Sequence, residues 1–243
     1  MKVISFNTGY FLGYSGKYRD YLTRPQVGLF GSKNEEDYLD QFAELVRQEE
    51  PDIVLNQEID GGSFRSRNGD QASVLREKLS GLDLKFGKKY RGKIFPRFPI
   101  LRFMGNALIH DRREVENHYL SSGRKGLVQE LKLEDTSVFS VHLATLGERT
   151  RRKQIDQLDQ IVDRDRGFVI SGDFNFHGGE QEISYIEEAL DCLVKSPGDT
   201  FPSGNPRKNL DVIAHSKEIN VKKPKVLDET FSDHRPISFE IDI

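Results

Sequence analysis

A carboxylate and an amide, Asp173 and Asn175, stand two residues apart where an apolar stretch of the chain ends. The stretch before them, residues 168–172, predicts a buried strand. In an extended backbone the side chains of residues i and i+2 leave the same face, so we expect both polar groups on one face. Gly178 and Gly179 then favour a turn. The pattern fits either an Asx-rich turn that only ends the strand or a polar site presented by a rigid scaffold.

The same arrangement recurs along the chain, since other apolar runs also end in a carboxylate, an amide or an imidazole. The residues in these positions are Asn7, Glu58, His142, Asp211, Asp233 and His234. Loops at one edge of an α/β sheet can converge on a single cleft. Carboxylates and amides gathered there suit Mg²⁺, and the histidines could bind a phosphoryl oxygen or transfer a proton.

Each of these residues also has a purely structural interpretation. A carboxylate after a strand is often a solvated end or a cap, and a single histidine often packs against backbone. Asp211 lies inside an apolar strand, where a buried carboxylate needs a partner, and His234 could be that partner. The combination, rather than any one residue, indicates a functional site.

The elements that must position these residues predict an α/β layered fold. We predict strands at residues 3–6, within 52–62, and at 106–110, 127–133, 137–143, 168–172, 210–215 and 237–241. We predict helices at residues 34–50, 71–79 and 180–192, and a charged helix that begins at Gly147. Residues 10–33 show no clear period and predict a long irregular loop of a kind that is often functional. No repeat or composition break divides the chain, so we predict one domain over residues 1–243.

Composition indicates a soluble globular protein, with 36% hydrophobic and 31% charged residues and a formal net charge of −3. A single cysteine, Cys192, excludes an internal disulfide framework and fits a reducing compartment. No apolar run approaches the ~20 residues of a membrane span, and the N-terminus lacks the pattern of a signal peptide. We therefore expect a cytoplasmic protein, although a matured form without its signal would look the same.

Six motifs, taken in order, resemble those of the endonuclease/exonuclease/phosphatase superfamily. They are Ser-Phe-Asn-Thr-Gly at Asn7, Gln-Glu at Glu58, Ser-Val-His-Leu at His142, Ser-Gly-Asp-Phe-Asn at Asp173, Leu-Asp-Val-Ile at Asp211 and Ser-Asp-His-Arg-Pro at Asp233. The superfamily includes pancreatic deoxyribonuclease, apurinic endonucleases, inositol polyphosphate 5-phosphatases and neutral sphingomyelinases. The resemblance spans nearly the whole chain.

The resemblance implies a four-layer α-β-β-α sandwich, in which two mixed β-sheets pack face to face with helices outside. It also implies metal-dependent hydrolysis of a phosphoester, with Mg²⁺ as the cofactor and Mn²⁺ as a substitute. Glu58 would be the principal metal ligand, helped by Asn7 and Asp233.

The catalytic roles come from the same resemblance. Asp173 would orient or deprotonate the attacking water, and Asn175 would hold that water and the phosphate. His234, oriented by Asp211, would donate to the phosphoryl oxygen. His142 resembles a second histidine that the deoxyribonuclease and sphingomyelinase branches have.

The substrate is less sharply indicated by the sequence. Residues 85–103 interleave basic and aromatic side chains, which suits a polyanion such as nucleic acid. We predict substrate contacts from Asn106, in a Gly-Asn-Ala motif that resembles the same two branches, and from Arg65, Arg67 and Arg102. A monomeric nuclease for DNA or RNA is the first hypothesis. The alternatives are an enzyme for phospholipid or inositol phosphate head groups, another phosphoesterase, and a non-catalytic binding module.

Overall fold

The computed structural model describes residues 1–66, 69–90, 97–111 and 114–242, and their strands form two six-stranded sheets. The strands are β1 (Lys2–Asn7), β2 (Ile53–Asp60), β3 (Asp83–Lys88), β4 (Met104–His110), β5 (Val115–Tyr119), β6 (Leu127–Lys132), β7 (Thr136–His142), β8 (Gly167–Asp173), β9 (Leu193–Lys195), β10 (Asp211–His215), β11 (Asn220–Val226) and β12 (Ile237–Asp242). The first sheet has the order β11-β12-β1-β2-β4-β3 and the second the order β5-β6-β7-β8-β10-β9. Both sheets are mixed, because β1 pairs with β2 and β7 with β8 in parallel while the neighbouring pairs are antiparallel.

Six α-helices and one short 3-10 helix, at Gly9–Phe11, accompany the strands in the described part of the chain. The α-helices are numbered in chain order. They are α1 (Tyr18–Thr23), α2 (Pro25–Phe30), α3 (Glu35–Glu49), α4 (Gln71–Lys78), α5 (Glu148–Asp159) and α6 (Glu180–Leu190). The prediction of an irregular loop over residues 10–33 is wrong, because this segment contains α1 and α2. Each has six residues, too short for a helical period to show in the sequence. No helix in the described ranges combines the length and the apolar character that a transmembrane segment requires.

Most of the buried hydrophobic side chains lie in three layers. Between the sheets, residues such as Val3 and Leu55 of the first sheet pack against Val138 and Val169 of the second. Helices α3 and α4 cover the outer face of the first sheet. Helices α5 and α6 cover the outer face of the second. The predicted four-layer α-β-β-α sandwich is confirmed.

Strand direction brings the predicted site residues to one edge of this sandwich. Asn7, at the end of β1, lies beside Gln57 of the parallel β2. In the second sheet the parallel strands β7 and β8 end together, with His142 beside Asp173. Strand β10 runs the other way, so it begins where β8 ends and Asp211 pairs with Asp173.

Candidate active site

Two polar residues continue the inward-facing rows of the two sheets. Side chains alternate between the faces of a strand, so Asn7 follows Val3 toward the opposite sheet and Asp173 follows Val169. Both residues are buried, and Asn7 Nδ2 donates to Asp173 Oδ2 at 3.0 Å. This hydrogen bond joins the two sheets at the edge where the hydrophobic layer ends. Beneath it, Gln57 Nε2 donates across the sheets to Ser140 Oγ at 3.1 Å.

Glu58 reaches the same place through a distortion of β2. The register between β2 and β4 shifts between Asn56 and Ile59, and Glu58 has a φ of 61°. Such a bulge re-aims a side chain that strict alternation would send to the other face. The backbone N–H of Glu58 donates to Asn106 Oδ1 at 3.2 Å, so the buried amide of Asn106 supports the distorted position.

Asp211 and His234 form the buried pair that the sequence suggested. His234 Nδ1 lies 2.8 Å from Asp211 Oδ2, and Thr200 Oγ1 donates to the same carboxylate oxygen. The other ring nitrogen, Nε2, lies 3.7 Å from Asp173 Oδ2. The ring therefore has one nitrogen on a structural partner and the other directed into the site. The ring of Phe201, with its centroid 5.0 Å away, packs beside the imidazole.

His142 approaches Asp173 from the other side and is held by two lysines. Its Nε2 lies 3.3 Å from Asp173 Oδ2, and Lys89 Nζ lies 3.3 Å from its Nδ1. An ammonium group can only donate, and Lys125 Nζ contacts Nε2 just as Lys89 Nζ contacts Nδ1, so each ring nitrogen faces an ammonium group. The Nζ atom of Lys125 also lies 3.6 Å from Glu58 Oε1.

The two histidines differ in charge at neutral pH. Burial, with the positive charges of Lys125 and Lys89, holds the pKa of His142 well below its ordinary value, so this imidazole is neutral. Burial also acts to lower the pKa of His234, but the negative charges of Asp211 and Asp173 outweigh it and raise this pKa to about 10. His234 is therefore an imidazolium.

The carboxylates differ from one another as well. Burial raises the pKa of Asp173 to about 6, despite the opposing charge of His234. Burial acts in the same direction on Glu58, but the ammonium groups of Lys89 and Lys125 outweigh it and hold the Glu58 pKa at about 2. Glu58 is a permanent anion, whereas Asp173 can exchange a proton near neutral pH.

The oxygen atoms of Glu58, Asp233 and Asn7 suit a hard divalent cation. Burial raises the pKa of Asp233, and the charge of Glu58 raises it further, so these two half-buried carboxylates repel each other. A cation between them would relieve that repulsion. Asn7 Oδ1 accepts from Gly9 N, and a Cβ on Gly9 would lie 3.0 Å from Asp233 Oδ1, so the amide and carboxylate oxygens flank one glycine. The donor set therefore fits the implied metal.

A second cluster with metal-ligand types combines Asp173, Asp211 and His234, whose ligand atoms lie within 4.8 Å of one another. The short contact between His234 Nδ1 and Asp211 accounts for it better as a charged hydrogen-bonded pair. A third cluster, Glu116, His118 and Glu130, lies on β5 and β6. There His118 Nε2 lies 2.7 Å from Glu130 Oε2.

Asn175 does not lie where the sequence predicted. Asn175 does not continue β8 as an extended residue, because the strand ends at Asp173 and Asn175 has a φ of 54°. Its side chain instead donates to Leu143 O at 3.1 Å, and its backbone N–H donates to Asp173 Oδ1 at 3.0 Å. The predicted common face of Asp173 and Asn175 is therefore wrong.

The predicted substrate-binding arginines are dispersed. Arg65 is buried, with its guanidinium 3.9 Å from the ring centroid of Tyr10 and one nitrogen 3.5 Å from Asp60 Oδ2. Arg102 is exposed and lies over the ring of Phe103. Arg67 lies outside the described residues. Their contact with substrate stays a prediction.

Three site residues were missed by sequence reasoning. Lys89 is almost fully buried and joins Tyr10, Glu58 and His142, yet in the sequence it is one of several lysines in a basic segment. Lys125 follows Arg124 in a short polar loop, which gives no sign that it reaches the site. Tyr21, on the unpredicted helix α1, donates to Asp233 Oδ2 at 2.8 Å.

The sequence-family comparison agrees with this geometry. A model of the Endonuclease/Exonuclease/phosphatase family matches residues 4–234. The chain belongs to this family. Its members are hydrolases of phosphoester bonds that depend on a divalent metal ion. The resemblance that the six motifs indicated is confirmed. A comparison with curated protein sequences finds no match.

Solved structures show the same fold at low sequence identity. An endonuclease/exonuclease/phosphatase family protein from Leptotrichia buccalis is 19% identical with a TM-score of 0.74, and the alignment covers 100% of both chains. A mannosyl-6-phosphatase from Bacteroides thetaiotaomicron is 16% identical with a TM-score of 0.70, again over 100% of both chains. The catalytic domain of human Nocturnin is 19% identical with a TM-score of 0.62, over 100% of this chain and 94% of that one.

Proposed function

We propose that this protein is a divalent-metal-dependent phosphodiesterase that hydrolyses DNA or RNA. The observation that carries the proposal is the environment of Asp173 Oδ2, which lies 3.0 Å from Asn7 Nδ2, 3.3 Å from His142 Nε2 and 3.7 Å from His234 Nε2. The carboxylate of Asp173 thus meets the imidazolium of His234 and the amide donor of Asn7 at one buried point.

Asp173 is suited to the role of general base. A catalytic base works best with a pKa near the operating pH, and burial has moved the pKa of Asp173 to about 6. It would take the proton of a water whose oxygen attacks the phosphorus atom. Asn175 stays the predicted partner of that water.

His234 is suited to the complementary role. As an imidazolium it can donate its Nε2 proton to the leaving oxygen as the phosphorus–oxygen bond breaks, while Asp211 holds Nδ1. The neutral His142 lies beside Asp173, and the ammonium groups of Lys89 and Lys125, which contact its ring, would offset the negative charge that develops on the phosphoryl oxygens.

Glu58, Asp233 and Asn7 would hold the metal ion. A bound divalent ion supplies Lewis-acid stabilisation of the charge on the phosphoryl group. The surroundings of Asn106 support its predicted contact with substrate. Its buried Nδ2 has no hydrogen-bond partner among the described residues, while its Oδ1 holds the backbone of Glu58, so a donor is available beside the principal ligand.

Positive charge near the cleft supports nucleic acid as the substrate. Three positive charges near Glu58 lower its pKa, those of Lys89, Lys125 and Arg65. Farther out, Lys88 Nζ lies 4.4 Å and Arg102 Cζ 5.1 Å from the ring centroid of Phe103. Phosphate groups bind such cations, and aromatic rings can stack on bases. A mannosyl-6-phosphatase shares the fold, which is therefore compatible with a phosphate monoester substrate as well.

The test is a screen of single-stranded DNA, duplex DNA, RNA and bis(4-nitrophenyl) phosphate with Mg²⁺ or Mn²⁺, repeated with a chelator. We expect metal-dependent cleavage of at least one nucleic acid, and a loss of about 10²–10⁴ in rate for His234→Ala. His177→Ala is the matched control, because this histidine lies in an exposed loop. Cleavage of none of these substrates would contradict the proposal.

An exposed apolar rim favours a second candidate, an enzyme for phospholipid or inositol phosphate head groups. The rim consists of Leu22, Leu29, Phe30, Phe64 and Phe98, each at least 48% exposed. It adjoins the site, because Tyr21 on the same helix as Leu22 binds Asp233. Exposed apolar patches often mark membrane or partner contacts. Hydrolysis of phospholipid in vesicles, lost in Phe30→Asp but with bis(4-nitrophenyl) phosphate activity retained, would favour this candidate over a nuclease.

We further propose that the protein acts as a cytoplasmic monomer. Cys192 is buried, and burial raises its pKa to about 12, so this thiol is a poor candidate for an intermolecular disulfide. Light scattering coupled to gel filtration would test the monomer, and a stable dimer mass would contradict it.

A further inference from the structure

A cavity of about 440 Å³ lies beside the candidate active site. Its walls include Tyr90, Arg124, Lys125, Thr145, Leu146 and Thr150. We propose that this cavity, the Tyr90 pocket, binds a second phosphate group of the substrate, next to the phosphate that is hydrolysed. The inference rests on the proposed function and narrows its substrate class to molecules that carry two phosphates.

The pocket is continuous with the catalytic residues through one ammonium group. Lys125 Nζ donates to Thr145 Oγ1, a wall of the pocket, at 2.8 Å. The same Nζ lies 3.6 Å from Glu58 Oε1 and contacts His142. A substrate phosphate at the catalytic residues would therefore have the Tyr90 pocket as its immediate neighbour.

The chemistry of the walls favours an anion. Arg124 and Lys125 provide two positive charges, and the threonines provide hydroxyl donors. None of the described residues that line the pocket is acidic. The nearby Glu148 is instead paired with Arg152, one turn along α5, at 2.8 Å. Charge-assisted hydrogen bonds from arginine and lysine are the usual means of binding phosphate.

A buried side chain holds both walls of the pocket in place. Gln154 Oε1 accepts from the backbone N–H of Ala144, beside Thr145. Its Nε2 donates to the carbonyl oxygens of Ser122 at 3.0 Å and Lys125 at 2.6 Å. Gln154 is fully buried, so it fixes the loop that carries Arg124 and Lys125 against the segment after β7. A site held this way needs little reorganisation to bind.

A specific subsite for phosphate should make the enzyme prefer substrates with a second phosphate, whereas a merely basic surface should not. We expect the wild type to hydrolyse a thymidine dinucleotide with a terminal phosphate at least about tenfold better, in kcat/KM, than the same dinucleotide without it. Inositol bisphosphate compared with inositol monophosphate distinguishes a small bisphosphorylated source from a nucleotide chain.

Arg124→Gln tests the pocket without touching the catalytic residues. We expect it to abolish the preference for the second phosphate and to leave hydrolysis of bis(4-nitrophenyl) phosphate unchanged. Arg152→Gln, on the exposed side of α5, is the matched control and should keep the preference. A wild type with no preference, or an Arg124→Gln variant that retains it, would overturn the inference.

Binding separates a failure of this inference from a failure of the proposed function. Calorimetry with the phosphorylated dinucleotide and the Asp173→Asn protein needs no turnover. We expect Arg124→Gln to weaken this binding by about tenfold or more, with a smaller change for the dinucleotide that lacks the terminal phosphate. If the wild type cleaves nothing but this difference is found, the proposed function fails and the pocket stands. Equal affinities for the two dinucleotides would refute the pocket itself.

Discussion

Asp211 Oδ2 lies 2.8 Å from Nδ1 of His234, and both side chains are buried at the edge where the two sheets meet. Because water does not screen this buried carboxylate, its negative charge acts strongly on the imidazole. Together with the charge of Asp173 it raises the pKa of His234 to about 10. The pair thus keeps a proton donor charged at neutral pH in a place where burial alone would neutralise it.

Asp211→Asn should lower kcat by about 10²–10⁴, because the His234 pKa falls and the proton donor is lost at neutral pH. The loss should be larger at pH 9 than at pH 6, since a less basic imidazole is still protonated in acid. Rates on a thymidine dinucleotide, whose alkoxide leaving group needs a proton, provide the measurement across this range. Asp156→Asn, a partner of Tyr185 on the exposed surface, is the control. A uniform loss at every pH would contradict the assigned cause.

Glu58→Gln should abolish metal-dependent stabilisation. An ion that binds only the folded state at about a hundred times its dissociation constant adds about 2.7 kcal/mol, or roughly 5–10 °C in melting temperature for a chain of this size. We expect Mg²⁺ or Mn²⁺ to raise the melting temperature of the wild type by about this amount relative to a chelator. The variant should show little difference between the two conditions, whatever its own stability.

Asp191→Asn is the matched control for Glu58→Gln, because this carboxylate is exposed and paired with the surface residue Lys217. It should retain the full metal-dependent rise. If Glu58→Gln also retained it, the metal would bind elsewhere in the chain.

Asp173→Asn should raise stability while it removes activity. Burial raises the Asp173 pKa from 3.8 to about 6, so the folded state prefers the protonated carboxyl. The resulting penalty grows as the pH rises from about 4 to 6 and stays constant above that, on the order of 3 kcal/mol. An asparagine has no such penalty. Denaturation in the presence of a chelator should therefore show the variant more stable than the wild type at pH 7, with a smaller difference at pH 5.

A gain in stability that did not shrink in acid would mean that Asp173 ionisation is not its source. Glu182→Gln provides a useful contrast, because this buried carboxylate is paired with Arg151 at 2.6 Å. Removing one charge of a buried pair leaves the other uncompensated, so this variant should be destabilised instead.

The sequence predicted the central strands and not the outer ones, for a physical reason. The four strands that went unpredicted, β3, β5, β9 and β11, are the edges of the two sheets. Edge strands carry charged side chains that protect their open hydrogen bonds, so they lack a clear apolar alternation. Strand β11 (Asn220–Val226), for example, has three lysines and one proline among its seven residues.

The candidate site divides in a similar way. Residues at the ends of central strands, such as Asp173 and His142, could be predicted because an abrupt polar residue after an apolar run is visible in the sequence. Lys89 and Lys125 could not, because their roles depend on where a long flexible side chain ends. The exact position of Glu58 depends on a bulge that periodicity does not reveal.

Gly172→Ala should prevent stable folding, because Gly172 lies where the parallel strands β7 and β8 deliver His142 and Asp173 to the site. Its φ is 149°, and a Cβ there would lie 2.0 Å from the carbonyl oxygen of Val141, far closer than side-chain atoms approach backbone. The two strands would have to separate beside the catalytic residues.

Gly179→Ala is the control, since its φ is also positive, at 62°, but no atom lies within 4 Å of the added Cβ. That variant should lose only about 1–2 kcal/mol. Circular dichroism and chemical denaturation compare the two, and equal midpoints would show that β8 can move away from β7 without cost.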